Sequence, residues 1–268
     1  MSTTTTTSAQ TSGAVSARSG SLRRLRALTR ANTTLLVRNR LTLVYAVVLP
    51  LLPLAALGFV DGQQAAGRTV LSSVALLALM FPVFYNLLSA TVTRRDELVL
   101  KRMRTGEVSD LELLASLALP GAGIAAVMMT IAVPVALALG APMPANVVVY
   151  AVLVLLGIVM FSAFGFWTAA WTRNAEAAQM TSFPVILLAI LGSIAPILPD
   201  RAARVVEFTP GAAMESLVGI GWLGVDGDRA LSFGETWAAS AEPTLVMVAW
   251  AVLALVLAQR SMRWEPRH

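Results

Sequence analysis

The sequence predicts an all-α polytopic membrane protein with six transmembrane helices behind an N-terminal amphipathic interfacial helix. Three observations carry this. Of 268 residues, 57% are apolar and only 13% charged, against the roughly 25% charged usual in soluble domains, and the mean hydropathy is +0.73. The apolar residues gather into six stretches close to the about 20 residues that cross a bilayer. The basic residues fall mostly on one side of those stretches.

The first element is a tail, residues 1–20, of Thr, Ser, Ala and Gly. It has too little apolar content to pack and is expected to be a disordered cytoplasmic tail. It is not read as a signal peptide, because no apolar stretch follows a short basic start. Residues 21–268 then form a single transmembrane domain.

Residues 21–40 predict a helix lying in the membrane surface. On a wheel of about 100° per residue starting at Leu22, Leu35, Leu28, Leu25, Leu36 and Leu22 fall between about 220° and 360°. Arg26, Arg30, Arg23, Arg38 and Arg24 fall between about 40° and 200°. An apolar face opposite a basic one suits the headgroup boundary; the alternative is a basic linker flanking the first span.

The six spans are placed at residues 42–60, 69–92, 113–140, 146–172, 180–198 and 244–259. The sixth is short for a crossing, so an earlier start near Ala238 or a locally thinned bilayer is expected. Pro50, Pro53, Pro82, Pro134, Pro184 and Pro196 are expected to kink or interrupt helices. Gly121, Gly123, Gly157, Ala163 and Gly165 permit close helix approach.

Residues 94–112 form the cytoplasmic loop, RRDELVLKRMRTGEVSDLE. Span two is expected to continue as a helix to about Arg104, Gly106 suits a helix C-terminal turn, and Ser109-x-x-Glu112 is a capping box that starts the next helix. The mixed charges suit a protein partner better than a phosphate backbone. The external segment, residues 199–243, carries a helix start at Thr209-Pro210, with Met214, Leu217, Val218 and Trp222 at helical spacing. Ser232-x-x-Glu235 opens a second short helix, with Trp237 near the interface.

Orientation follows from the basic residues. With both termini cytoplasmic, sixteen lie inside, and only Arg68, Arg201, Arg204 and Arg229 lie outside. Seven acidic residues lie inside and eight outside, so the inner face is +9 and the outer face −4, which together give the net +5. The inner leaflet accounts for the positive charge, and no nucleic-acid partner is expected.

The residue inventory excludes whole classes of chemistry. There is no Cys, the one His is His268, and the one lysine is Lys101. Thiolate sites, Ser–His hydrolysis and His-ligated metals fall away, as does Schiff-base chemistry anywhere but Lys101. No catalytic residue and no metal or other cofactor is expected on this chain. None of the six spans holds Asp, Glu, Lys, Arg or His, whereas ion-coupled carriers use ionisable groups in the membrane. The polar groups that remain there include Asn86, Ser89, Ser162, Thr168 and Ser193. Two readings stand for them: interhelical hydrogen bonds, or the lining of a substrate path. Glu207 and Glu215, at the outer membrane surface, are candidates to meet a cationic substrate or to cap helices.

These pieces together resemble the permease subunits of type-two ABC exporters. The resemblance rests on the basic amphipathic leading helix, the six spans, and the loop from Arg94 through Asp96, Glu97 and Leu100-Lys101-Arg102-Met103-Arg104 to Ser109-x-x-Glu112. The ending Met262-Arg263-Trp264-Glu265-Pro266-Arg267 is also similar to the family's basic-Trp terminus. Thr105-Gly106-Glu107-Val108 stands where a small-residue–Pro turn is frequent.

The resemblance implies a bacterial cytoplasmic-membrane protein that exports an amphipathic or hydrophobic substrate: a drug, natural product, lipid or glycan. It implies a second permease copy, identical or similar, and a separate ATP-binding subunit that carries the ATP and Mg. It makes residues 94–112 a coupling loop, with Arg95, Asp96, Glu97, Lys101, Arg104 and Glu107 facing the ATPase. Asn86, Ser89, Ser162 and Thr168 become path residues, and Glu207 and Glu215 lie where short external helices gate the exit. A phosphate-binding loop needs Gly before its lysine, and Lys101 follows Leu100, so that ATPase site is not on this chain. The alternatives are a non-transporting scaffold or immunity protein and a secondary carrier; a membrane enzyme lacks the residues it would need.

Overall fold

Prolines decide where the apolar stretches stay helical. In a computed structural model, which describes residues 7–59, 64–97 and 109–261, helix α1 runs Thr7–Arg38 and α2 runs Arg40–Leu51. Pro50 sits in the last turn of α2, and the chain then tightens into a 3₁₀ segment, Leu52–Phe59, that contains Pro53. Each proline removes an N–H from the i→i−4 ladder. The second stretch is one continuous helix, Gly67–Asp96, built from α3 (Gln64–Leu79), a π-helical segment Met80–Tyr85 around Pro82, and α4 (Asn86–Asp96).

Helices α5 (Asp110–Ala138) and α6 (Val147–Trp171) are unbroken. Pro134 lies inside α5 without ending it, an outcome that helix neighbours in a membrane bundle allow. The fifth stretch is divided into α7 (Ala178–Thr181), α8 (Phe183–Ile194) and a 3₁₀ turn Ala195–Ile197. Pro184 and Pro196 stand at the starts of the last two pieces. Then follow α9 (Asp200–Val206), α10 (Pro210–Val218), a second π segment Gly219–Leu223, α11 (Phe233–Ala239) and α12 (Ala241–Ser261).

Among the described residues, four helices are long and apolar enough to cross a membrane: Gly67–Asp96, Asp110–Ala138, Val147–Trp171 and Phe233–Ser261. The first and fifth expected spans are represented by the shorter apolar helices Val44–Leu57 and Phe183–Ile194. The last span reaches well beyond 244–259, because α11 runs almost directly into α12. The tail expected to be disordered is helical from Thr7; with no proline in that stretch, adding turns to an existing helix costs little. Residues 1–6, residue 60, the loop core 98–108 with its Gly106 turn, and the 262–268 terminus with His268 lie outside the described residues.

The capping predictions hold. Ser109 accepts from the Glu112 N–H while the Glu112 carboxylate accepts from the Ser109 N–H at 2.8 Å. Ser232 and Glu235 repeat the arrangement at α11. Thr209 caps α10 with Pro210 in its first turn. One element departs from all-α: Val225–Asp226 and Arg229–Ala230 form a two-stranded antiparallel hairpin, β1 and β2. Gly227, at φ +58°, makes its turn, and the two-residue Gly227-Asp228 loop is a hairpin signal in the sequence.

Helices in lipid gain little from hydrophobic association, so close packing must hold them. The core is Leu79, Phe84, Leu88, Met129, Phe161, Phe164, Trp222 and Met247, all fully buried. Around the π segment the packing is backbone against backbone. A Cβ on Gly121 would lie 2.0 Å from the Pro82 carbonyl oxygen. One on Gly157 would lie 2.5 Å from the Leu79 side chain, and one on Gly165 3.3 Å from the Phe84 carbonyl oxygen. A second crossing joins α8 to α10, where a Cβ on Gly211 would meet the Ala189 carbonyl oxygen at 2.2 Å. Gly123, by contrast, faces open space.

Gly121→Ala is therefore expected to destabilise the protein by about 1–3 kcal/mol through overpacking. Gly123→Ala is expected to be neutral or stabilising, since alanine is the better helix former. Thermal unfolding of the detergent-purified variants separates the two.

Candidate functional site

The longest apolar helix carries a polar stripe on one face. From the π segment toward the C-terminal end of the helix, Asn86, Ser89, Thr93 and Glu97 recur every three to four residues and line one open cleft. At 1.5 Å per residue they span about 16 Å. The cleft has a volume of about 1000 Å³ and is also lined by α1, α2, α5 and α8.

Its surface is graded. Arg94 and Glu97 stand at its charged end, hydroxyls and the Asn86 amide follow, and Phe81 and Tyr85 come next. Those two rings stack with centroids 5.8 Å apart. The Tyr85 hydroxyl and Ser182 Oγ share a hydrogen bond of 2.9 Å, tying the stripe to the short bend between α7 and α8. Leu77, Met80, Ile186 and Ile190 complete the apolar part. A molecule with one polar end and one apolar body matches such a gradient.

Of the four expected path residues, Asn86 and Ser89 line this cleft and Ser162 and Thr168 do not. Thr168 is buried and borders a separate cavity of about 290 Å³ with Trp167, Trp171 and Thr181. Tyr85 and Tyr45 were not singled out in the sequence; stacking at a π turn leaves no local signal there.

The charged C-terminal end of the same helix separates two roles that its charges share in the sequence. Arg95 is only 1% exposed. Its Nη1 donates to the Ala169 carbonyl at 2.8 Å, and its Nη2 donates to those of Thr172 at 2.5 Å and Arg173 at 3.2 Å. Asp96 Oδ1 lies 3.7 Å from its Nε. These are carbonyls at the end of α6, where a helix leaves acceptors without intrahelical donors and where a cation is favoured by the helix dipole. Arg95 is thus inside the fold, clamping α4 to the end of α6, and does not present its charge outward. Asp96 and Glu97 are exposed. Lys101, Arg104 and Glu107 lie outside the described residues.

The interfacial helix docks beside this end. Asn32 is buried on the leucine arc of α1 and its Nδ2 donates to the Ser116 carbonyl at 2.7 Å. Arg24 lies 3.6 Å from Glu112, the capping-box carboxylate of α5. The leading helix and the start of α5 are therefore joined through the residue that caps α5.

At the other end of the bundle, α10 and the second π segment are packed inside the fold. In α10, Ala212, Ala213, Met214, Leu217 and Val218 are buried, as is Trp222 in the second π segment. Trp222 Nε1 donates to the Pro142 carbonyl at 3.0 Å, and its ring meets Tyr150 edge to face at 5.1 Å. Asn146, 1% exposed, caps α6 through its Oδ1 and donates to Thr236 Oγ1 at 2.9 Å. Glu207 and Glu215 are not brought to one site. Glu207 is exposed at the end of α9, whereas Glu215 lies 3.9 Å from Arg68 at the start of the second helix. Burial pushes the Glu215 carboxyl above its usual range and Arg68 opposes that shift. No group of His, Cys, Asp and Glu suited to a metal occurs among the described residues.

A family model described as ABC-2 type transporter matches residues 23–201, about two thirds of the chain. The match takes in the interfacial helix, the cleft, the charged end and the fifth apolar stretch, and stops before the buried external segment. No curated protein and no solved structure matches the chain.

Arg95→Gln is expected to cost about 2–4 kcal/mol, because it leaves buried carbonyls without donors. Asp96→Asn, at a half-exposed pair, is expected to cost less than about 1 kcal/mol. Thermal unfolding and amide exchange at residues 169–173 read both.

Proposed function

The chain belongs to the ABC-2 type transporter membrane family, and from that membership we propose that it is the membrane-spanning permease subunit of an ATP-driven exporter. Its substrate is amphipathic or hydrophobic: a drug-like natural product, a lipid or a glycan carrier. Energy comes from a separate ATP-binding subunit that holds the nucleotide and Mg. A second permease copy, identical or similar, closes the pathway. The protein sits in a bacterial cytoplasmic membrane with both termini inside.

The observation that carries this reading is the graded cleft. It opens on the side of the bundle, is bordered by the charged end of the second helix, and passes from charge through hydroxyls and stacked rings to aliphatic side chains. A second subunit laid over that side converts the cleft into an enclosed route. Asn86 and Ser89 meet the polar part of the substrate, and Phe81 and Tyr85 meet its body.

Six crossings remain part of the proposal. The α2 and 3₁₀ pieces of the first stretch together reach about 34 Å at their respective rises, and the pieces of the fifth about 30 Å. The hydrocarbon layer is about 30 Å thick.

Coupling is assigned to Asp96, Glu97, Lys101, Arg104 and Glu107, with Arg95 as a positioning residue. When the ATPase closes, force on the loop passes through α4 to the cleft and, through the Arg95 clamp, to the end of α6. Glu215 and its Arg68 partner, rather than Glu207, hold the outer end, where α10 plugs the bundle.

The deciding experiment is co-expression with neighbouring reading frames and tagged purification. A Walker-A-bearing ATPase is expected to come with the chain, and the pair to hydrolyse ATP. Recovery of the chain alone, under conditions that preserve other such complexes, refutes the assignment. In the complex, Glu97→Arg is expected to insert normally and to uncouple hydrolysis from efflux; unchanged efflux removes the coupling role.

A further inference from the structure

Helix α1 has a face that neither docks on α5 nor points straight into solvent. Two parallel rows run along it at i, i+4 spacing: Leu22, Arg26, Arg30, Thr34 and Arg38, and beside them Leu25, Thr29, Thr33 and Val37. With Leu119 of α5 as the far wall, they enclose a groove of about 690 Å³, within the size of a small-molecule site.

Its walls are apolar and open: Leu22 is 57%, Val37 49% and Leu119 44% exposed. Thr33 and Thr34 return their hydroxyls to their own helix. The Thr29 hydroxyl is buried yet has no hydrogen-bond partner among the described residues. Arg26 and Arg30 are exposed and make no ion pair among the described residues. Glu112 at the start of α5 is paired with Arg24.

We propose that this groove binds one anionic glycerophospholipid of the cytoplasmic leaflet. Arg26 and Arg30 stand one turn apart, about 6 Å along the helix, and their planar forks suit the oxygens of one phosphate. An acyl chain lies against Leu25, Val37 and Leu119. The net negative charge of the lipid answers a row that nothing in the described chain neutralises, which is the argument for an anionic occupant over a zwitterionic one. The bound lipid anchors α1 at the membrane surface while its other face holds the start of α5 through Asn32 and Arg24. The inference rests on the membrane orientation and not on transport, so it stands or falls separately from the exporter reading.

The test is lipid binding to the purified full chain, read by native mass spectrometry and by thermal shift. The probes are phosphatidylglycerol, phosphatidylcholine and water-soluble glycerol phosphate. Phosphatidylglycerol is expected to bind about tenfold more tightly than phosphatidylcholine, a preference supplied by the two arginines at the surface. Glycerol phosphate is expected not to bind. The pair Arg26→Gln, Arg30→Gln abolishes the preference, and the pair Arg26→Lys, Arg30→Lys retains most of it, which separates lost charge from misfolding. Leu119→Trp, which fills the groove, weakens both lipids. Equal binding of the two lipids overturns the proposal, as does a preference that survives the glutamine pair. A glutamine pair that sheds the ATPase while keeping its lipid preference assigns the row to a protein surface and also overturns it.

Discussion

The approach of α5 and α6 to the π turn of the second helix is the constraint from which the rest of this structure follows. Gly121 and Gly165 let the neighbouring backbones reach the Pro82 and Phe84 carbonyls of the π turn. At such separations Cα–H groups serve as weak donors to carbonyl oxygens. Small residues at these points allow the neighbouring helices to approach closely, as helices in lipid require. The core residues Leu79, Phe84 and Leu87 are fixed by the same crossing. Their fixing leaves the opposite side of the helix, with Phe81, Tyr85, Asn86 and Ser89, facing the cleft.

The same helix then joins a rigid centre to a charged end. Below the π turn, the stripe of Asn86, Ser89, Thr93 and Glu97 follows one side while Leu87, Leu88 and Val92 are buried on the other. Arg95 falls on the buried side by one residue of phase, and its charge is spent on the carbonyls of α6. Glu97, two residues on, falls on the open side. Helical phase therefore divides a run of four charged residues into a clamp and a surface.

That division shows where the sequence is legible and where it is not. The caps at Ser109, Thr209 and Ser232 could be read because capping depends on residues a few positions apart. Pro50, Pro53, Pro184 and Pro196 announced interruptions, and Gly121, Gly157 and Gly165 close crossings, whereas Pro134 stays inside an unbroken helix and Gly123 faces open space, because neighbouring helices decide both. The interior place of Arg95 could not be read, because its acceptors lie more than seventy positions away. Asn32 sat visibly on a leucine arc, at about 280° on the same wheel, and that misplacement was the signal of a buried partner. The burial of α10 had a weaker trace: Gly192 and Gly211 have no shared period in the sequence, yet they meet backbone to backbone.

Position of the interruptions also explains why the cleft lies where it does. Helix α5 packs chiefly on α1, and the unbroken helices α6 and α12 pack along their lengths behind the second helix. The first and fifth apolar stretches, broken by Pro50, Pro53, Pro184 and Pro196, cannot present a continuous ridge to it. They leave a gap that α1, Tyr45 and Ile186 border without filling. In lipid such a gap is stable only when something of matching polarity occupies or covers it. The Tyr85–Ser182 hydrogen bond joins the fixed side of the gap to its broken side at the bend between α7 and α8. Any motion of α8 relative to the second helix must therefore break or carry that bond, and it does so in the middle of the polar-to-apolar gradient.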